Sequence, residues 1–554
     1  MTQIMDIAVM LLRILLPVYA VVIVYQCYAS MSRHRRPEKP LVMLFNPVTS
    51  QKLPILYWEN SLGRSKRNDI FVDDPAVSRN HCVLLRRKEG WFITDTDSKA
   101  GTYVNGKKVH KRTQIFIDDQ IKVGYSTFVF KRGEEYKEEV VTSKRSQKFL
   151  NKPAIKPYKL LLLVTLFHLF MAVEACFTFE VQDYAPMTVF ACLLAVEWGF
   201  FLISTVALKR INFELETLAL FLSGIGVMLL VRQEIRTAYV QLIASVAGMI
   251  IFCLIIRFIE NPDKIAKFRL PLMIFAVMLL SVSIVFGKIS YGAANWITIG
   301  GISIQPSEFV KIIFILVGAS SLDVMQTKKN LIEFMVFSAV CVGGLALMGD
   351  FGTALIFFVT FLLIAFMRSG DFKTVILAVA AAIFGGTIAL KFKPYIADRF
   401  SVWGHAMEYP QDGGFQMARV LTYIASGGLF GVGIGNGCLK YVFASESDLV
   451  FGIMAEEMGY IVAVTVAISI ALLIIYARSV TTRSRSTFYS ITACCAAGLL
   501  VVQMSLNIFG ATDILPLTGV TLPFISAGGS SMISCWGLIA FIKAADERTY
   551  AVKR

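Results

Sequence analysis

RTAYVQLIASVAGMIIFCLIIRF, residues 236–258, decides the class of fold, because its charged side chains lie only near its two ends. An apolar run of this length is what an α-helix needs to cross the hydrocarbon core of a bilayer. Similar runs recur along the 554-residue chain, which is 56% hydrophobic and 17% charged and has a mean hydropathy of +0.64. Soluble domains are usually about a quarter charged. The sequence therefore predicts a polytopic α-helical membrane protein.

About thirteen runs meet this length criterion. The first, residues 4–29, has neither the basic leader nor the small-residue cleavage site of a signal peptide, so residues 1–30 are interpreted as a retained transmembrane anchor. The remaining predicted spans are residues 158–178, 186–207, 215–231, 236–258, 270–287, 306–324, 331–348, 352–368, 373–391, 449–476, 486–511 and 522–544.

Basic residues are concentrated in connections on one side of these spans. They include residues 144–159, 264–269 and 477–486, and the positive-inside rule assigns that side to the cytoplasm, which predicts a multi-pass protein of the plasma membrane. The net charge of +15 is explained by such loops beside anionic lipid, so no nucleic-acid partner is expected. The ten cysteines show no metal-binding or disulfide spacing, and no organic cofactor is expected.

Residues 40–135 differ from the rest of the chain, because short runs there alternate apolar and polar residues between turn signals. This pattern is typical of a β-sandwich. The loops read LGRSKRNDI (62–70), PAVSRNH (75–81) and SKAGTYVNG (98–106). In this order they resemble the forkhead-associated (FHA) domain, and the resemblance covers the whole segment. The prediction is a cytoplasmic all-β FHA sandwich.

The FHA resemblance implies a phosphothreonine site. Arg64 and Ser78 would hold the phosphate through charge-assisted hydrogen bonds, and Arg79 and Asn105 would shape the loops around the peptide. A phosphothreonine-containing protein or a Ser/Thr kinase is the partner that this site implies.

The FHA pattern is interrupted at one point. Lys99 and Ala100 stand where family members usually have a Thr or Ser followed by an Asn that contacts the peptide backbone. Peptide selectivity is therefore left open. The alternative is a scaffold domain that keeps the fold without binding phosphopeptides.

The second half of the chain carries a series of ordered motifs. They are GAANWI (292–297), QPSEFVK (305–311), GDFGTA (349–354), GGFQ (413–416), GLFGVGIGNG (428–437), SDLVF (447–451), EEMG (456–459) and PLTGVTLPFISAGGSS (516–531). Together they resemble the SEDS family of FtsW/RodA/SpoVE-type membrane proteins over about residues 215–545. The sequence departs from the family at Phe415, at Met348-Gly349 and in ESD (446–448), which lacks the usual His.

The SEDS resemblance implies a ten-span core and a peptidoglycan glycosyltransferase that polymerises lipid II, a disaccharide-pentapeptide on an undecaprenyl pyrophosphate carrier. The family's catalytic Asp falls on Asp448, at the end of a large extracellular loop. A carboxylate there can act as the general base that deprotonates the acceptor 4-hydroxyl. Lys311 is the matching candidate to pair with Asp448 in catalysis.

Other polar motif and loop residues are expected to bind the substrate or its pyrophosphate. They are Glu308, Arg399, Lys440, Glu457, Trp296 and Gln416. The pyrophosphate charge needs a counter-cation, which is either a basic side chain or a divalent metal such as Mg²⁺.

Each assignment has a simpler alternative. Asp448 precedes a helix and could serve as a cap or dipole partner, and Lys311 could be a structural ion-pair partner. Glu457 is more readily interpreted as a structural or cavity-lining acid than as a second catalyst. The runner-up functions are a transporter that flips lipid-linked precursors and a non-catalytic FHA scaffold.

The predicted organisation is a sequence of five segments. They are an anchor (1–30), the FHA sandwich (40–135), a basic linker (136–157), two additional transmembrane helices (158–210) and the SEDS core (215–545). The resemblance also implies a class B penicillin-binding protein as the transpeptidase partner. The sequence leaves open whether the enzyme serves elongation, division or sporulation.

Overall fold

A computed structural model of the chain divides into two compact units, one formed by residues 1–32, 154–481 and 491–554 and the other by residues 33–153 and 482–490. Residues 2–33, 42–133, 155–369, 372, 375–380, 383 and 402–546 are described, except for residues 56–57, 66–67, 88, 178–182, 208–211, 261, 291–292, 300–301, 321–327, 412 and 482–485. The predicted linker and most of the predicted span 373–391 lie outside the described residues.

The first unit is helical, as the apolar runs predict. Its main helices are α1 (Thr2–Arg33), α2 (Pro157–Cys176), α3 (Ala185–Leu202), α4 (Glu214–Leu230), α5 (Ile235–Ile259), α6 (Pro262–Phe286), α7 (Pro306–Ser320), α8 (Lys328–Leu347), α9 (Phe351–Ser369), α10 (Phe415–Gly427), α11 (Val450–Met458), α12 (Tyr460–Thr481), α13 (Thr487–Ala511) and α14 (Gly529–Ala545).

Within the described part of the chain, seven helices are long and apolar enough to cross a membrane. These are Val9–Met31, Pro157–Cys176, Ala185–Val206, Ile235–Ile259, Lys264–Phe286, Tyr460–Thr481 and Thr487–Ala511. Helix α4 is shorter and is buried along its whole length, which makes it the central helix of this unit. Close packing relies on small residues, since a side chain at Gly248 of α5 would clash with Trp536 of α14.

The predicted span 449–476 is two helices in the structure. Gly459 has φ +85°, a left-handed conformation that glycine adopts without strain, and it separates the short α11 from α12. The acids Glu456 and Glu457 therefore lie on a short helix that precedes the long apolar span, rather than deep within that span.

Between α6 and α7 the chain forms a small antiparallel sheet. Its strands are β12 (Lys288–Ser290), β13 (Ala293–Ile299) and β14 (Ile302–Ile304), and β13 lies in the middle. This sheet occupies the connection between the predicted spans 270–287 and 306–324.

The second unit contains the predicted β-sandwich. Its strands are β1 (Val42–Phe45), β2 (Lys52–Ile55), β3 (Glu59–Gly63), β4 (Ile70–Phe71), β5 (Cys82–Arg87), β6 (Gly90–Asp95), β7 (Thr102–Val104), β8 (Lys107–Lys108), β9 (Thr113–Ile115), β10 (Gln120–Val123) and β11 (Ser126–Arg132). One sheet has the order β2-β1-β11-β10-β7-β8 and the other β4-β3-β5-β6-β9. Alternate apolar side chains such as Leu44, Leu84 and Phe128 meet in a fully buried core between the sheets.

Candidate functional sites

Asp448 lies in a tight turn that immediately precedes α11. Its backbone N–H donates to the Ala444 carbonyl at 3.0 Å, and its side chain is partly exposed. The N-cap residue of α11 is Leu449, so Asp448 is not the N-cap residue. The Asp448 carbonyl accepts a hydrogen bond from Asn507 Nδ2 of α13 at 2.9 Å, and Asn507 also donates to the Val520 carbonyl at 2.7 Å. Asn507 therefore ties the Asp448 turn to the segment before α14.

The same turn is hydrogen-bonded to the segment FISAGGSS, residues 524–531. Ser526 Oγ donates to the Ser447 carbonyl at 2.5 Å, and the Ala527 N–H donates to the Glu446 carbonyl at 2.9 Å. Burial raises the pKa of the Glu446 carboxyl, and the nearby negative charge of Glu234 raises it further. Two motifs that are far apart in sequence thus form one site around Asp448.

Lys311 is fully buried on α7 and makes two polar contacts. Its Nζ donates to Glu308 Oε1 at 2.8 Å and to Gln503 Oε1 of α13 at 3.0 Å. Direct pairing of Lys311 with Asp448, which the resemblance implies, is not seen among the described contacts. Gln503 and Asn507 are four residues apart and share one face of α13, so this helix connects the buried ion pair to the Asp448 turn.

The glycine-rich segment 428–437 is held by the two acids of α11. The Glu456 carboxylate accepts the backbone N–H groups of Cys438 and Leu439 at 2.8 and 2.9 Å. The Glu457 carbonyl accepts the Gly433 N–H at 2.9 Å, and its buried side chain lies beside Gly437. The Glu456 carboxylate and the Glu457 carbonyl thus hold the loop that precedes Asp448.

The remaining predicted substrate-binding residues are distributed around this region. Lys440 Nζ donates to the Gly435 carbonyl at 2.7 Å, and Gln416 Nε2 of α10 donates to the Phe443 carbonyl at 2.7 Å, so both brace the loop before Asp448. Trp296 lies on β13, opposite Lys288 of β12. Arg399 lies outside the described residues.

Asn507, Gln503 and Ser526 are site residues that the sequence interpretation did not assign. Ser526 belongs to a quoted motif. The other two are polar side chains within the long apolar helix α13, where such groups are costly unless they have partners. Their presence in VVQMSLN is the signal that could have identified them.

In the sandwich, three loops bring the predicted phosphate-binding residues together. The Arg64 N–H donates to the Ser78 carbonyl at 3.0 Å, and Ser78 Oγ accepts the Lys99 N–H at 3.0 Å. Buried His81 accepts the Ser78 N–H through Nδ1 at 3.1 Å, while its Nε2 lies 3.2 Å from the Gly101 carbonyl. Burial lowers the pKa of His81.

The side chains at this site differ in exposure and in role. Arg64 and Arg79 are exposed, and the Arg79 carbonyl accepts a hydrogen bond from Asn68 Nδ2 at 2.6 Å. Asn105 is part of a separate turn, where it donates to Asp119 Oδ1 at 2.8 Å and adopts φ +48°. Asn105 therefore shapes the β7–β8 turn and makes no described contact with Arg64 or Ser78.

The geometry gives no preformed metal centre in the described part of the chain. No group of three His, Cys, Asp or Glu side chains is close enough there to hold an ion.

These features define a polytopic membrane protein with an FHA-type sandwich and a partly exposed acid held between distant motifs. Comparison with known proteins gives the family. The family model of FtsW/RodA/SpoVE cell cycle proteins matches residues 213–551, and the FHA domain model matches residues 60–124. The chain belongs to the FtsW/RodA/SpoVE family and carries an FHA domain.

Individual relatives agree with this assignment. The probable peptidoglycan glycosyltransferase FtsW of Bacillus subtilis is 29% identical over 371 residues, which cover 60% of this chain and 90% of that protein. The peptidoglycan glycosyltransferase RodA of Mycobacterium leprae is 25% identical over 375 residues, which cover 62% and 80%. A chain of a solved peptidoglycan synthase complex has the same fold, with a TM-score of 0.52 and 23% identity over 60% of this chain and 96% of that one.

Proposed function

We propose that this protein is a peptidoglycan glycosyltransferase that polymerises lipid II. Membership of a family whose relatives carry that activity in their names supports the proposal. The observation on which it depends most is the position of Asp448, a partly exposed carboxylate on a turn braced by Asn507 and Ser526.

In the proposed reaction Asp448 is the general base. The acceptor 4-hydroxyl attacks the anomeric carbon of the donor sugar while its proton passes to the Asp448 carboxylate. The bond between that carbon and the pyrophosphate oxygen breaks, and undecaprenyl pyrophosphate leaves with the bonding electrons. One basic group is sufficient, because pyrophosphate is a good leaving group once its charge is countered.

Lys311 is not available as a free cation, since it is buried against Glu308. We assign it the role of fixing α7 against α13. Lys440 and Arg399 are the proposed phosphate contacts, and Mg²⁺ bound mainly by the pyrophosphate itself is a second way to counter the charge. Removal of Mg²⁺ with a chelator, followed by its return, tests that second route.

The FHA domain is proposed to regulate this enzyme from the cytoplasm by binding a phosphothreonine-containing partner, while Asp448 faces the extracellular side. The arrangement of Arg64 and Ser78 in one loop cluster supports phosphate binding. Basic connections on the FHA side support the orientation. A class B penicillin-binding protein is the proposed transpeptidase partner.

An assay in proteoliposomes distinguishes glycan polymerisation from the transport of lipid-linked precursors. Fluorescent lipid II is supplied in both leaflets, and polymer and leaflet exchange are measured on the same vesicles, with the penicillin-binding protein partner added. An enzyme yields polymer that Asp448→Ala abolishes. Leaflet exchange without polymer, unaffected by Asp448→Ala, supports the transporter instead.

A further inference from the structure

The apolar span Val9–Met31 of helix α1 contains one charged residue, Arg13. Arg13 Nε lies 3.3 Å from Glu174 Oε1 of α2, and the side chains are 22% and 3% exposed. Charges on apolar helices are costly and are retained where they pair or serve a function. Neither helix belongs to the region matched by the family model, which begins at residue 213.

This ion pair contacts the glycine-rich segment 428–437. Gly433 adopts φ +104°, and a Cβ at that position would collide with the Arg13 guanidinium. The backbone N–H of the next residue, Ile434, interacts with the Glu174 carboxylate. The two charged groups of the pair therefore meet adjacent loop residues, Arg13 at Gly433 and Glu174 at Ile434.

The other side of the segment is attached to α11. The N–H groups of Val432 and Gly433 donate to the carbonyls of Glu456 and Glu457, each at 2.9 Å. Helix α11 begins at Val450, two residues after Asp448. The loop is thus clamped between the Arg13–Glu174 pair and the helix that follows the catalytic turn.

We propose that Arg13 and Glu174 are positioning residues for polymerisation, which act by holding the glycine-rich segment and, through it, α11 and Asp448. The inference rests on the proposed function. It assigns α1 and α2 a direct part in forming the site, because misplacement of a catalytic group by about 1 Å can cost about a hundredfold in rate.

The first test measures how well the loop is protected from solvent exchange and does not depend on enzymatic activity. Hydrogen exchange of the peptide that contains residues 432–439 is compared in full-length wild type, Arg13→Gln and Glu174→Gln. Both variants are expected to exchange about tenfold faster there, because the clamp opens locally. Arg257→Gln, which breaks an exposed ion pair with Glu260, is the matched control. Unchanged exchange in both variants overturns the proposal.

The second test separates positioning from charge compensation. The double variant Arg13→Gln/Glu174→Gln removes the unpaired charge that each single variant leaves, so it recovers thermal stability. Its lipid II polymerisation should nevertheless stay at least about tenfold below wild type, with kcat reduced more than KM. Full recovery of kcat in the double variant shows that the pair only balances charge, and that result contradicts the proposal.

The two tests also separate this inference from the proposed function. If the wild type forms no polymer with its partner present, the glycosyltransferase assignment fails, and a positioning role in polymerisation fails with it. Fast exchange at 432–439 in the single variants would then still establish the clamp as a feature of the fold.

Discussion

Replacement of Lys311 by Met should distinguish a structural cation from a reacting one. The Lys311 side chain is 1% exposed and its Nζ lies 2.8 Å from Glu308 Oε1. Removal of one partner of a buried ion pair typically costs about 3–5 kcal/mol, because the other charge is left without compensation. The substitution also removes the hydrogen bond from Lys311 Nζ to Gln503 Oε1.

The expected result is a large loss of thermal stability in Lys311→Met and a substantial recovery in Lys311→Met/Glu308→Gln. The midpoint of unfolding is measured by size-exclusion chromatography after heating, with the exposed Lys264→Met as the matched control. Polymerisation should recover with stability in the double variant if Lys311 acts only through α7 and α13.

Two outcomes would contradict this reasoning. A single variant as stable as wild type would show that the ion pair does not stabilise the helices. A double variant that is stable but forms no polymer would give Lys311 or Glu308 a direct part in the reaction, as the sequence resemblance implied for Lys311.

Three further predictions concern the loop and the FHA domain. Glu456→Gln should slow polymerisation at least about tenfold, since its charged carboxylate accepts two backbone N–H groups; the exposed Glu408→Gln is the control, and an equal rate would refute a loop-holding role. Arg64→Ala should weaken the binding of a phosphothreonine peptide at least about tenfold, as measured by calorimetry, whereas Asn105→Ala should weaken it less. Equal losses of affinity in the two variants would refute the assigned site. Burial lowers the pKa of His81, so its contribution to stability is complete above the unfolded value of about 6.5 and is lost as pH falls below it towards the folded value; the protection factors of residues 76–81, in which hydrogen exchange is corrected for its intrinsic pH dependence, should then fall at low pH, and His81→Gln should remove that fall.

The membrane class and the FHA sandwich could be predicted because each follows from local patterns. An apolar run long enough to span a bilayer can be recognised within about twenty residues of sequence. The same is true of an alternating strand that is followed by turn residues. The sandwich between residues 42 and 132 follows from such patterns, whereas the cluster of loops around Arg64 and Ser78 was implied by the resemblance to FHA domains.

The break at Gly459 could not be predicted from hydrophobicity. Apart from Glu456 and Glu457, the residues of α11 and most of those of α12 are apolar, and the left-handed backbone at Gly459 and the hydrogen bonds with the glycine-rich loop separate the two helices. The prediction of one span over 449–476 was therefore wrong, and the two acids that it placed deep in the span belong to the short helix.

The hydrogen bond of Lys311 to Gln503 depended on tertiary packing, whereas its ion-pair partner follows from local spacing. Glu308 lies one turn away on the same helix, a spacing that favours an ion pair, whereas an ion pair with Asp448 would require contact between distant segments. The Arg13–Glu174 pair joins residues 161 positions apart, and no pattern in the sequence indicates that these two charges meet.

The most direct test of the central claim is lipid II polymerisation by purified protein with the transpeptidase partner present, comparing wild type, Asp448→Asn and the control Glu408→Gln. Asn has nearly the same shape as Asp, but its side-chain amide is not basic enough to take the proton from the 4-hydroxyl of the acceptor sugar. The account predicts polymer from wild type and from Glu408→Gln and none from Asp448→Asn, with all three proteins equally stable. Equal polymer from Asp448→Asn would contradict it and leave Asp448 as a structural residue of the turn before α11.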